Sequence, residues 1–182
     1  KTRTERALAR ASTSEGVGWD NDMDLQSIIS EVKTLARETG RFIAEQRKNF
    51  DSSRVESKQS HDYVSYVDKE CERMIVSRLK EILPQAGFIT EEKTIAQDDG
   101  NKELYWIVDP LDGTTNFIHD LAPYSVSIAL RDSKDLLLGV VYEVTRDELY
   151  SAAKGQGAYL NDRAIKVSPL SDLDQALIMV GY

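Results

Sequence analysis

Trp106-Ile107-Val108-Asp109-Pro110-Leu111-Asp112-Gly113-Thr114-Thr115-Asn116-Phe117 is the stretch on which the reading turns. Tyr105 to Val108 is aromatic and β-branched, as suits a buried strand. The strand is expected to end at Asp109, with Asp109 and Asp112 together in a tight loop. Pro110 fixes its own φ and has no N–H to occupy a neighbouring carbonyl. The Leu111 carbonyl is then free to point inward. Two carboxylates and a carbonyl are hard oxygen donors of the kind Mg²⁺ takes. Gly113 permits an unusual backbone and close approach by a ligand. A helical turn starting there would offer the N–H groups of Gly113 and Thr114 to an anion. Metal ligands and a phosphate cradle would then come from one loop. As composition alone, Asp-Pro-Leu-Asp-Gly also reads as a solvated surface turn. Such a turn requires neither the strand before it nor the second Thr and the Asn-Phe pair after it.

Outward from this stretch lie two more acidic features. Glu91-Glu92 follows the short strand Phe88-Ile89-Thr90. A strand end is a common place for site residues, yet beside Lys93 the pair taken alone reads better as a solvated acidic loop. Val64-Ser65-Tyr66-Val67-Asp68 leads into a helix, and Asp68 by itself reads as an N-cap or first-turn acid.

The remaining elements follow from periodicity. Leu25, Ile28, Ile29, Val32, Leu35, Ala36, Phe42 and Ile43 share one helical stripe, with Asp24 as N-cap. A second helix is expected from about Asp68 to Leu83, with Cys71, Met74, Ile75, Leu79 and Ile82 as its stripe and Pro84 as its stop. Strands are expected at 125–130, 136–144 and 148–153. Tyr159-Leu160 and 164–167 form a hairpin around Asn161-Asp162. Two helices followed by consecutive strands, without β-α alternation, imply an α+β layered domain with a mostly antiparallel sheet. Residues 1–22 are basic and aperiodic, and are read as a tail that is disordered or foreign to the native chain. The domain is then 23–182, with Met23 as a plausible native start.

The 182 residues suffice for one domain with a real core. A net charge of −8 argues against non-specific binding to nucleic acid or to an anionic membrane. It is compatible with a phosphorylated substrate, because bound cations reverse the local field. There is no transmembrane run, and a single cysteine, Cys71, suits a reducing, cytoplasmic home.

Asp109 through Phe117 matches in full the signature of the inositol monophosphatases and related lithium-sensitive phosphatases. Glu91-Glu92 upstream and the Val-Ser/Thr-x-x-Asp segment ending at Asp68 match as well. Gly139-Val140-Val141-Tyr142, Lys154-Gly155-Gln156-Gly157-Ala158 and Asn161 resemble the family's next strands and turn. The chain is thereby identified as resembling this family from about Leu25 to Gly181. The resemblance implies a layered αβαβα-type sugar phosphatase fold with paired N-terminal helices. Family members continue well past Tyr182, so the C-terminal layers are expected to be missing here. With them would go a Trp-Asp segment whose aspartate completes the second metal site.

The resemblance also implies roles. Glu91 and Asp109, with the Leu111 carbonyl, resemble the first metal site; Asp109 bridges to a second metal bound by Asp112. Glu92 resembles a supporting acid. Thr114 and Asp68 resemble the pair that orients and deprotonates the attacking water. The N–H groups of Gly113 and Thr114 would hold phosphate, and Lys58 resembles a basic residue on a mobile loop near the metals. The implied activity is hydrolysis of a phosphate monoester by metal-activated water, with two or three Mg²⁺ ions as cofactor. Thr115-Asn116-Phe117 favours inositol monophosphate or a similar sugar phosphate. Fructose 1,6-bisphosphate and 3′-phosphoadenosine 5′-phosphate are the alternatives. Lithium sensitivity and a homodimer are family expectations, with neither membrane nor nucleic acid as partner. A non-catalytic or regulatory relative is the reading from another class.

Overall fold

The computed structural model describes residues 23–50, 58–95 and 101–178, with side chains in the second segment described from 66 onward. The expected tail, 1–22, lies outside the described residues. Two long helices pack on one face of a sheet whose strands follow one another in chain order.

Helix α1 spans Leu25–Asn49. Asp24 caps it, one carboxylate oxygen accepting from the amides of Gln26 and Ser27 at 3.1 Å each. Its buried stripe is Ile29, Val32, Leu35, Ala36, Thr39, Gly40 and Ile43. The sequence stripe also included Leu25, Ile28 and Phe42, which pack only partly against the core. Helix α2 spans Lys58–Ile82 and ends two residues before Pro84, as expected. Its start is earlier than the sequence reading placed it. Asp68 therefore lies inside the helix and does not cap it, and Val64 to Asp68 is helix. The apolar stripe read from the sequence begins only at Cys71, so the period gave no sign of the preceding turns.

The strands are β1 (Gly87–Thr90), β2 (Tyr105–Asp112), β3 (Ser125–Arg131), β4 (Leu136–Glu143), β5 (Glu148–Ala153), β6 (Gly157–Leu160) and β7 (Arg163–Ile165). They form one sheet in the order β1-β2-β3-β4-β5-β6-β7. β1 and β2 are parallel; every other pair is antiparallel. The β6–β7 turn places Asn161 and Asp162 at φ 46° and 64°. That is the left-handed pair a two-residue hairpin needs.

Alternation along the strands sends one row of side chains under the helices. Trp106, Val108, Val126, Ile128, Leu130, Leu138, Val140 and Leu149 are all at most 2% exposed and form the core with α1 and α2. α1 lies over β3, β4 and β5, and α2 lies over β2. The approach is close at Gly40, where any Cβ would collide with the Tyr142 ring. The other face of the sheet is apolar as well, and Ile89, Val141, Tyr150 and Ile165 on it are 39 to 45% exposed. Free Cys71 is buried in α2. No described helix is long and apolar enough to cross a membrane.

Candidate active site

The parallel pairing of β1 with β2 builds the site. Thr90 pairs with Val108, so both strands run out at the same edge. The Glu91 amide continues the ladder, donating to the Val108 carbonyl at 3.3 Å. Glu91-Glu92 and Asp109–Asp112 are thus brought side by side, whereas antiparallel pairing would have put them at opposite ends.

β2 does not stop at Asp109, as the sequence reading expected. Asp109 pairs with Ser127 and Asp112 with Ser125, with a bulge between. Pro110 cannot donate to the ladder, so the pairing skips a residue and resumes. Gly113 then takes φ +90°, and helix α3 (Thr114–His119) begins. A Cβ at Gly113 would come within 2.9 Å of the Pro123 carbonyl oxygen, so only glycine fits both the φ and the space. The Thr114 hydroxyl donates to the Leu111 carbonyl at 3.1 Å. The Asn116 side-chain amide donates to the Pro123 carbonyl at 2.7 Å. Phe117 is fully buried, its ring 5.9 Å from that of Phe50 and 5.6 Å from that of Tyr124. Arg47 of α1 lies over both Phe50 and Phe117, 5.2 and 5.9 Å from their centroids. These contacts explain why Asn-Phe follows the acidic loop.

The structure gathers Asp68, Glu91, Glu92, Asp109 and Asp112 into one electrostatic neighbourhood. Burial, then the charges of Glu92, Glu91 and Asp109, push Asp68 up to about 7, with Lys69 opposing. Asp109 is also pushed up to about 7. The causes are burial, then a side-chain hydrogen bond with Glu91, then the charges of Glu91 and Asp112; the Leu111 amide works the other way. Glu92 is raised by burial, then by the charges of Glu72 and Glu91.

One oxygen of Asp109 is buried with no hydrogen-bond partner. A buried carboxylate oxygen in that state needs a cation or a proton. With the neighbouring acids and the Leu111 carbonyl it forms a hard-oxygen donor set, so the residues fit Mg²⁺ in kind. The set is open: among the described residues, no group of three acids, histidines or cysteines is close enough to enclose an ion. The Lys58 backbone opens α2, so that residue is on a helix and not a loop; its side chain lies outside the described part.

Sequence reasoning missed Glu72. It is fully buried on α2, one turn after Asp68. Its carboxylate accepts from the Glu92 amide at 2.7 Å, the Thr94 amide at 2.7 Å and the Thr94 hydroxyl at 2.6 Å. The signal was available: an acid among Cys71, Ile75, Val76 and Leu79 sits on the apolar face of its helix, where an unpaired charge is expensive.

A sequence model of the inositol monophosphatase family matches residues 24–182. The Nus factor SuhB of Vibrio cholerae serotype O1 is 39% identical over 147 residues, which is 81% of this chain and 55% of that protein. The crystal structure of the extragenic suppressor protein suhB from Bartonella henselae superposes with a TM-score of 0.65 at 34% identity, covering 79% of this chain and 55% of that one. That of inositol monophosphatase-II from Staphylococcus aureus gives 0.67 at 31% identity, covering 80% and 53%. The chain spans about half the length of the curated relatives it matches.

Proposed function

The chain belongs to the inositol monophosphatase family, and from that premise we propose that it takes part in Mg²⁺-dependent hydrolysis of a phosphate monoester, with inositol monophosphate or a similar sugar phosphate as substrate. The observation that carries the proposal is the buried, partnerless oxygen of Asp109 within a cluster of acids at the end of a parallel strand pair. Bound Mg²⁺ supplies Lewis acidity, which eases deprotonation of water and neutralises phosphate charge. Glu91, Asp109, the Leu111 carbonyl and Asp112 hold the ions; two or three of them is the family number. Glu92 supports Glu91. Asp68 accepts the proton from the attacking water, and its raised affinity for protons suits a base working near neutral pH. The Thr114 hydroxyl, donating to Leu111, keeps its lone pairs free to orient that water. The amides of Gly113 and Thr114 face the phosphate, and Lys58 adds positive charge nearby. Lithium inhibition, a homodimer and a cytoplasmic home belong to the same reading.

The test is phosphate release, with Mg²⁺ and with chelator, from myo-inositol 1-phosphate, fructose 1,6-bisphosphate and 3′-phosphoadenosine 5′-phosphate. Mg²⁺-dependent release from the first is expected. Failure of all three with a folded, Mg²⁺-binding chain would sink the enzymatic reading for this chain. A second reading, a regulatory factor that keeps the fold, is favoured by the name Nus factor carried by the Vibrio relative. It expects Asp109→Asn to leave cellular function intact, and loss of that function in the variant would count against it.

A further inference from the structure

We infer that Glu72 is a positioning residue for the Glu91–Glu92 arm: its buried carboxylate is the anion around which the loop after β1 is wound, and it thereby fixes where those two acids point. This rests on the metal-site reading above.

The loop has the geometry of an anion nest whose anion is supplied from within the protein. The amides of Glu92 and Thr94 both aim at one side chain, each at 2.7 Å. Two amides separated by a single residue converge only if that residue turns sharply. Lys93 does so, at φ +53°. A left-handed lysine is strained, and such strain persists only where the surroundings enforce it. Glu72 is the enforcing group, through charge-assisted bonds stronger than neutral ones. The Thr94 hydroxyl adds a third, at 2.6 Å. An anchor for the loop alone would not need a carboxylate on the apolar face of a helix. Placing it there refers the loop to α2, the helix that also carries Asp68 a turn earlier. The proposed base and the proposed ligand arm are therefore held to one rigid element.

The test uses the 182-residue chain, with Mn²⁺ as a spectroscopic probe titrated by electron paramagnetic resonance. Amide exchange of the metal-free chain gives the second readout. Glu72→Gln preserves size but sets an NH₂ donor against an amide donor. It is expected to weaken Mn²⁺ binding about 10-fold or more, the range seen when a group supporting a ligand is lost, and to speed exchange at Glu92 and Thr94. Should that variant fail to fold, Lys93 decides the matter, because it is exposed. Lys93→Pro cannot adopt the required φ and is expected to lose Mn²⁺ affinity to the same extent. Lys93→Gly takes that φ freely and is expected to keep it. Parental Mn²⁺ affinity in both Glu72→Gln and Lys93→Pro, with affinity lost in Asp109→Asn, would overturn the inference alone. Parental affinity in Asp109→Asn, or no Mn²⁺ binding by the parent, would overturn the metal-site reading and this inference with it.

Discussion

The loop after β2 is closed by its own residues, whereas the loop after β1 is closed by a side chain from a distant helix. In the first, Pro110 sets the bulge, Gly113 makes the turn, and Thr114 and Asn116 bond to carbonyls a few residues away. In the second, Glu72 lies 20 residues from Glu92 and 22 from Thr94 and supplies the bonds that fold the loop. Both present acids to the same place. The difference teaches that one arm of the site is rigid by local sequence and the other only by virtue of tertiary packing. The second should be the softer of the two.

The largest expected effect tests the self-built loop. Asp109→Asn should cut Mg²⁺-dependent phosphate release at least about 100-fold, since it removes a proposed metal ligand. The same variant should melt in chelator no lower than the parent, because it neutralises a buried oxygen that has no partner. A much lower melting temperature would show that the loop leans on Asp109 and is not closed by its own backbone.

Gly113→Ala is next. Left-handed φ and contact with the Pro123 carbonyl should destabilise the fold by about 1–3 kcal/mol, read by urea denaturation. Asn116→Ala, which removes one bond to that same carbonyl, should lose only about 1 kcal/mol. Equal losses would mean that the turn is held from outside after all.

A further expected effect is a pH dependence of the acid cluster. Asp68 and Asp109 have folded values of about 7 against 3.8 for the free side chain. Below about pH 4 both states hold these protons and stability is unaffected. As pH rises from there toward 7, the unfolded chain ionises first, so the metal-free protein loses stability, and the loss is constant above 7. Melting in chelator should therefore fall across that window. Glu91, Glu92, Asp112 and Lys69 face the same pair and broaden the transition. Added Mg²⁺ should oppose the loss above pH 7, where it binds the ionised acids. A flat chelator profile from pH 4 to 7 would mean that the acids are not crowded together.

The legibility of the sequence follows the same division. The β2 loop could be read because Pro110, Gly113, Thr114 and Asn116 act on neighbours in the chain, so residue type and spacing carry the structure. The helices and strands were legible wherever an apolar period ran through them. The early start of α2 was not, because the apolar period legible in the sequence begins only at Cys71. The extension of β2 past Pro110 was missed because a bulge depends on the partner strand, which the segment itself does not specify. Glu72 was missed for a comparable reason: its partners lie across the molecule, and only its misplaced charge hinted at them.

A sheet whose spatial order repeats its chain order has a consequence for synthesis. Each described strand after the first finds its partner in the strand made just before it, so none of these pairings waits for a strand later in the order. Assembly can keep pace with translation, one strand at a time. Shortening such a sheet from its C-terminal side removes an edge and never a middle.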